Sequence, residues 1–197
     1  MSPKRLFSAP IWVIGFFALL SFAANAAQTY VTDQGHTEVL FSWSHSGVST
    51  QNGEFTVATG TLSLADDIEK SSVSVVIDAS SVSSGFEALD DHLKSADFLD
   101  VANHPEITFE STGVKKTGDK TLDVTGNLTL HGVTKPVTLS AEITHQGPHP
   151  VGQFIDYYKG TWIAFRATTE IDHMAFNVGS FSTGPISIVI NSEMRAK

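Results

Sequence analysis

The amino-acid sequence predicts an all-β fold of eight or nine antiparallel strands with one short helix, arranged as a sandwich or a closed barrel. Three observations carry this reading. Apolar and polar residues alternate with period two from Gln28 to the C-terminus, as expected of strands with one buried and one wet face, because successive side chains leave a strand on opposite sides. Clusters of turn-forming residues separate the alternating runs. A single stretch, 86–96, changes to helical spacing.

The chain begins outside this pattern. Lys4 and Arg5 form a basic start, Ile11 to Phe22 is apolar, and Ala24-Asn25-Ala26 places small residues at alternate positions. These are the three parts of a secretory signal peptide. The apolar run spans about a dozen residues, whereas a membrane helix needs roughly twenty. We therefore expect cleavage after Ala26, or one residue later, rather than a retained anchor. Of 197 residues, 171 then remain, enough for one domain at 27–197.

The strands follow in order. Val39, Phe41 and Trp43 share a face opposite Glu38, Leu40, Ser42 and Ser44, and Phe55, Val57 and Thr59 repeat the pattern. Val73, Val75 and Ile77 oppose Ser72, Ser74 and Asp78, while Ile107 and Phe109 oppose Thr108 and Glu110. The clearest run sets Leu122, Val124, Gly126, Leu128 and Leu130 against Thr121, Asp123, Thr125, Asn127 and Thr129. Val137, Leu139, Ala141 and Ile143 come next, then Ile163, Phe165, Ala167 and Ile171, and finally Ile186, Ile188 and Ile190. Turns are expected at Gln51-Asn52-Gly53, Thr117-Gly118-Asp119, His131-Gly132 and Gly147-Pro148-His149-Pro150. Leu89, Leu93 and Ala96 mark one face of the helix.

Composition excludes whole classes of chemistry. There is no cysteine, hence no disulfide, thiol nucleophile or thiolate metal site. Loss of Lys4 and Arg5 with the leader leaves 10 of 12 basic residues against 21 acidic ones, a formal charge of −11. Such a surface repels nucleic acid and anionic headgroups alike. No nucleophile elbow, phosphate loop or dinucleotide fingerprint occurs. Closure would remove exposed edges, and eight strands make about the smallest barrel that holds a ligand. Alternation by itself does not choose barrel over sandwich.

Four stretches, in order and spacing, resemble the YceI family of lipocalin-like, polyisoprenoid-binding periplasmic proteins. They are Phe41-Ser-Trp-Ser-His45-Ser-Gly47 with Gly53-Glu-Phe55-Thr-Val-Ala-Thr-Gly60; Asp91-His92-Leu93-Lys-Ser95-Ala-Asp97-Phe98-Leu99-Asp100; His104-Pro105-Glu-Ile107-Thr108-Phe109-Glu-Ser111; and Gly126-Asn-Leu128-Thr129-Leu-His131-Gly132-Val133-Thr134-Lys-Pro136-Val137. The resemblance implies an eight-stranded antiparallel, lipocalin-like barrel with a short helix, located in the periplasm. Its ligand would be a long isoprenoid, an isoprenoid quinone or a similar amphiphilic lipid. No other cofactor is implied. One motif departs from the family pattern: His173 stands where an Arg is expected and Asn177 where a Gly is expected. Losing the permanent, bidentate charge of Arg argues against a diphosphate headgroup and for a neutral one such as a quinone or amide.

The candidate ligand-binding residues are Phe41, Trp43, Phe55, Phe98, Phe109, Phe165 and Phe176, with Asp91, His92 and His173 as polar contacts. From the residues alone, these aromatics, together with Trp162, fit a packed core as well as a lined cavity; the resemblance favours the cavity. Asp90-Asp91-His92 looks reactive, but neighbours on a helix point about 100° apart. Rim contacts or helix anchoring fit these residues better than catalysis. An envelope enzyme working through Asp91, His92 and His173 on a lipid or small metabolite is the alternative. His145 and His149 have a metal-compatible spacing without an evident third ligand, and a solvated loop is expected there. His45, His104 and His131 are read as structural. The acidic surface would suit a respiratory-chain partner in the membrane, and a polar mouth would admit a homodimer.

Overall fold

The computed structural model describes residues 27–179 and 184–197. The expected leader and its cleavage point lie outside them. Ten strands form one antiparallel sheet: β1 (Gln28–His45), β2 (Ser49–Phe55), β3 (Ala58–Leu64), β4 (Ser72–Asp78), β5 (Val82–Ser83), β6 (Glu106–Lys116), β7 (Thr121–Leu130), β8 (Val133–Pro148), β9 (Thr161–Ile171) and β10 (Ile186–Ala196). The sheet closes because β10 returns to β1, with Tyr30 opposite Ala196 and Phe41 opposite Ile188.

Eight positions run around the ring, in the order β1, β3, β4, β6, β7, β8, β9, β10. The long β1 is served on its other edge by two strands, β3 along Gln28–Val31 and β2 along Val39–His45. β5 adds two residues to the outer edge of β2. The fold is therefore the eight-stranded barrel, and closure leaves no long strand edge to template aggregation. The helix α1 (Glu87–Lys94) lies between β5 and β6, one residue shorter at its start and two at its end than the expected 86–96. Among the described residues no helix is long and apolar enough to cross a membrane.

Two local expectations are corrected. Gln51-Asn52-Gly53 is not a turn: it lies within β2, and the chain reverses earlier, at Ser46-Gly47, where both residues have positive φ. Gly53 serves a different need. It pairs with Phe41, and a Cβ on Gly53 would lie 2.5 Å from the Phe41 ring. The aromatic ring covers the bare backbone.

Phe55, Val57 and Thr59 do not share a face. β2 ends at Phe55 and β3 starts at Ala58, so the two-residue break reverses the parity: Ala58, not Val57, is buried, while Val57 is exposed. The break is held by side chains that replace the missing ladder. Gln34 Nε2 donates to the Thr56 carbonyl at 2.9 Å, and the Ala58 amide donates to Gln34 Oε1 at 3.1 Å. The Val57 amide donates to Ser81 Oγ at 3.1 Å. Buried backbone groups that leave a ladder need such substitutes. The remaining alternating runs keep their parity, and their apolar faces point inward.

One end of the barrel is packed by Tyr30, Leu62, Ile163 and Met194, a buried cluster in which Ile163 is 0% exposed. At the other end stand α1, the 95–105 segment and the short helical turn 173–176. There Ala79, Leu99, Ile107, Leu130 and Phe176 make a second core.

Candidate ligand-binding cavity

The inward faces of the strands do not meet across the barrel. They enclose a cavity of about 790 Å3, within the range of small-molecule sites at roughly 300–1,000 Å3. Val39, Val75, Phe109, Val124, Leu139 and Ile188 are typical of its wall. The exposed lining residues His45, Ser46 and His92 mark an opening at the α1 end. Leu89 and Leu93 turn the apolar face of α1 into this opening.

Asp90 fixes the helix there. It accepts from the Ser84 hydroxyl and, at 2.6 Å, from the Ser84 amide. These bonds, the hydroxyl's first, hold the Asp90 carboxyl below the usual carboxylate range. Anchoring in this cluster thus belongs to Asp90.

Of the ten expected site residues, Phe41, Trp43, Phe55, His92, Phe98, Phe109, Phe165 and His173 line the cavity. Phe41 stacks on Trp43 with centroids 5.7 Å apart and tilts against Phe55 at 5.3 Å, forming an aromatic wall near the mouth. Asp91 and Phe176 do not line it. Asp91 faces outward and is exposed, because its turn of α1 gives Leu89 and Leu93 to the interior. Phe176 packs in the core beneath the mouth with Leu99 and Ile171. Trp162 is buried outside the lumen and donates from Nε1 to the Tyr158 carbonyl at 3.0 Å.

His173 is the most unusual lining residue. It is 3% exposed, and its Nδ1 is hydrogen-bonded to the Val178 carbonyl. A carbonyl only accepts, so Nδ1 carries the proton. Its Nε2 is buried with no hydrogen-bond partner among the described residues. At the rim, His92 meets the Phe98 ring edge-on at 4.8 Å. Gly179, at φ 61°, lies so close to Phe98 that a Cβ would sit 2.8 Å from the ring.

Sequence reasoning missed part of this lining. Leu62 and Leu64 enter it only because of the break before β3. Gln51 lines it from a strand where a turn was expected. The helical spacing of Leu89 and Leu93 was the one available signal for the lid. His45, read as structural, is at the opening.

A second polar cluster lies on the outer wall, away from the cavity. Four residues of β1, Asp33 to His36, bulge opposite Glu193 of β10. Burial alone would raise the Asp33 carboxyl, but hydrogen bonds from His36 Nδ1 at 2.7 Å, Tyr157 Oη at 2.9 Å and the Gly35 amide outweigh it and hold Asp33 low. The same bond to Asp33 raises His36. His149 joins this cluster instead of a solvated loop: its ring stacks on Tyr158 at 4.4 Å, and Nε2 lies 3.3 Å from Glu193 Oε2. The His145 and His149 rings are 6.3 Å apart. Among the described residues two groups bring one potential ligand atom from each member within 4.8 Å of the others, Asp33 with His36 and Glu193, and Asp100 with His104 and His131. The members of the first already have partners: His36 bonds Asp33, and Glu193 bonds His149.

Known proteins share this fold and much of this sequence. The family model of the YceI-like domain matches residues 30–195. A UPF0312 protein of Azotobacter vinelandii is 44% identical over 146 residues, covering 73% of this chain and 76% of the relative. Among solved structures, Burkholderia cenocepacia BcnA superposes with a TM-score of 0.70 at 21% identity, covering 82% of this chain and 98% of that one. A polyisoprenoid binding domain from Saccharophagus degradans, implicated in plant cell wall breakdown, gives 0.65 at 13% identity, covering 87% and 99%. At such identities the structures speak for the fold alone, whereas the match over 30–195 speaks for ancestry: the chain belongs to the YceI-like domain family.

Proposed function

We propose that the barrel binds one long apolar chain, an isoprenoid or comparable amphiphile, and carries or stores it in the bacterial envelope. The observation that carries this reading is the cavity of about 790 Å3, walled by aliphatic and aromatic side chains and open beside α1. Such a wall offers little to orient a polar metabolite, but each methylene it removes from water contributes about 0.8 kcal/mol. The polyisoprenoid-binding name of the Saccharophagus relative supports the ligand class. The basic start, apolar run and Ala24-Asn25-Ala26 support export to the periplasm.

His173 narrows the headgroup. With Nδ1 donating to Val178, Nε2 offers a lone pair wherever the ring carries a single proton. A ligand hydroxyl or amide N–H satisfies it; a diphosphate does not. A polyprenol, a quinol or a fatty amide therefore fits better than a quinone, whose carbonyls only accept. Carriage is favoured over catalysis because no relay links the candidate groups. Among the described residues no hydrogen bond joins Asp91 to His92 or His173, and the His173 Nδ1 is committed to backbone. Delivery to a respiratory-chain partner in the membrane and homodimerisation are further proposals that this reading does not require.

The test is a chain-length series. Delipidated protein is titrated with isoprenoid alcohols of increasing length by displacement of a fluorescent lipid. Affinity is expected to rise at least about tenfold per five-carbon unit until the lumen fills, because ordering the chain offsets part of the roughly 4 kcal/mol gained. Uptake of no member, or affinity independent of length, overturns the reading.

A further inference from the structure

We propose that the rim of the barrel carries a binding site for a divalent transition-metal ion of the zinc class, formed by Asp100, His104 and His131. One ligand atom from each residue lies within 4.8 Å of the others. Zinc bonds of about 2.0–2.2 Å place ligand atoms roughly 3.3–3.6 Å apart, so side-chain rotation of about an ångström closes the set. Two imidazoles and one carboxylate are borderline ligands suited to zinc; calcium and magnesium prefer all-oxygen shells.

The chain builds this set from two directions. The His104 amide donates to the Asp100 carbonyl at 2.8 Å, one turn that stacks both residues on the same side of the 95–105 segment. The Asn103 amide group donates to both Asp100 carboxylate oxygens, at 3.1 and 2.9 Å, and orients them. His131 arrives from the tip of the β7–β8 hairpin, where it and Gly132 have φ of 51° and 70°. The hairpin is pressed onto His104: a Cβ on Gly132 would lie 2.6 Å from His104 Cε1, and the two imidazole centroids are 4.9 Å apart.

One fact points to a missing partner. His131 Nδ1 is buried and unpaired, and neither imidazole exchanges a hydrogen bond with another described residue. Buried polar atoms are satisfied in the large majority of cases, and an unmet one calls for an ion or a water. The positive φ of His131 and Gly132 is what the two-residue β7–β8 turn requires. The outer Asp33 cluster shows the contrast, since His36 is bonded to Asp33 and Glu193 to His149. None of the three proposed ligands lines the lipid cavity, so the site is separate from the lumen.

The experiment is calorimetric titration of chelator-treated protein with zinc chloride. The variants are His104→Phe, which keeps the ring packed on Gly132, His131→Asn, which tolerates positive φ, and His36→Asn in the outer cluster. One equivalent of zinc is expected to bind, at least about tenfold more weakly in each of the first two variants and unchanged in His36→Asn. In parallel, cobalt(II) added to the unmodified protein is expected to give the intense visible absorption of a four- or five-coordinate ion. No zinc binding, binding lost only in His36→Asn, or a weak octahedral cobalt spectrum overturns the proposal.

Discussion

Replacing Gln34 by Ala tests how the barrel shapes its lumen. The Gln34 amide bridges the break between β2 and β3, donating to the Thr56 carbonyl at 2.9 Å and accepting from the Ala58 amide at 3.1 Å. Ala58 is 1% exposed, so its stranded N–H costs about 1–3 kcal/mol. Thr56 is exposed, and its carbonyl turns to water at a net loss of about 0.5–1.5 kcal/mol. The expected destabilisation is therefore about 2–4 kcal/mol, toward the lower value if water enters the space vacated by the exposed Gln34 side chain. With a urea dependence of about 2 kcal/mol per molar, the midpoint falls by about 1–2 M, read by tryptophan fluorescence. Gln34→Glu keeps the acceptor for Ala58 and loses the donor, and should fall between the two. A midpoint within about 0.2 M of the parent, at unchanged slope, would refute the claim that Gln34 holds the parity reversal.

Three further outcomes follow from the same geometry. His173→Phe removes the orphaned Nε2 and should weaken an alcohol ligand by about 2- to 13-fold, one hydrogen bond of roughly 0.5–1.5 kcal/mol, without changing the increment per isoprene unit; an unchanged affinity contradicts the headgroup assignment. Gly53→Val forces the Phe41 ring away from its strand partner and should cost about 1–3 kcal/mol in urea unfolding. The loss should shrink in the Gly53→Val, Phe41→Ala double variant, and strict additivity would show that the ring is not the obstacle. Stability should also report the Asp33–His36 pair. His36 is raised from 6.5, so its contribution is complete below that value and lost as pH rises through the higher folded value. Asp33 is lowered from 3.8, so its contribution is complete above that value and lost as pH falls through the lower folded value. Melting temperature should thus peak between about pH 4 and 6.5, and His36→Gln should flatten the alkaline side; an identical profile in the variant refutes the assignment.

Strand faces were legible wherever one face meets the cavity and the other water. Leu122, Val124, Leu128 and Leu130 announce their direction because a slip of one residue would reverse all of them. Their faces do not tell a sandwich from a barrel, since that depends on whether β10 meets β1, a pairing about 150 residues apart in sequence. The break at Thr56-Val57 was illegible for a related reason. Its substitutes, Gln34 and Ser81, lie more than twenty residues away on either side and look like ordinary polar residues. Asn52-Gly53 reads as a turn locally, and only the position of Phe41 reveals that the glycine yields space to a ring. The aromatic part of the lining was readable from motifs, whereas the exposure of Asp91 and the packing of Phe176 depended on how α1 and the 173–176 turn settle on the barrel end.

The central claim is that the lumen holds a long apolar chain. Native mass spectrometry of the protein purified from its own host tests it most directly. A single bound amphiphile of isoprenoid or fatty composition, with a neutral hydroxyl or amide head, is the predicted result. Protein that is recovered only in the free form, and that takes up no such lipid when offered one, would contradict it.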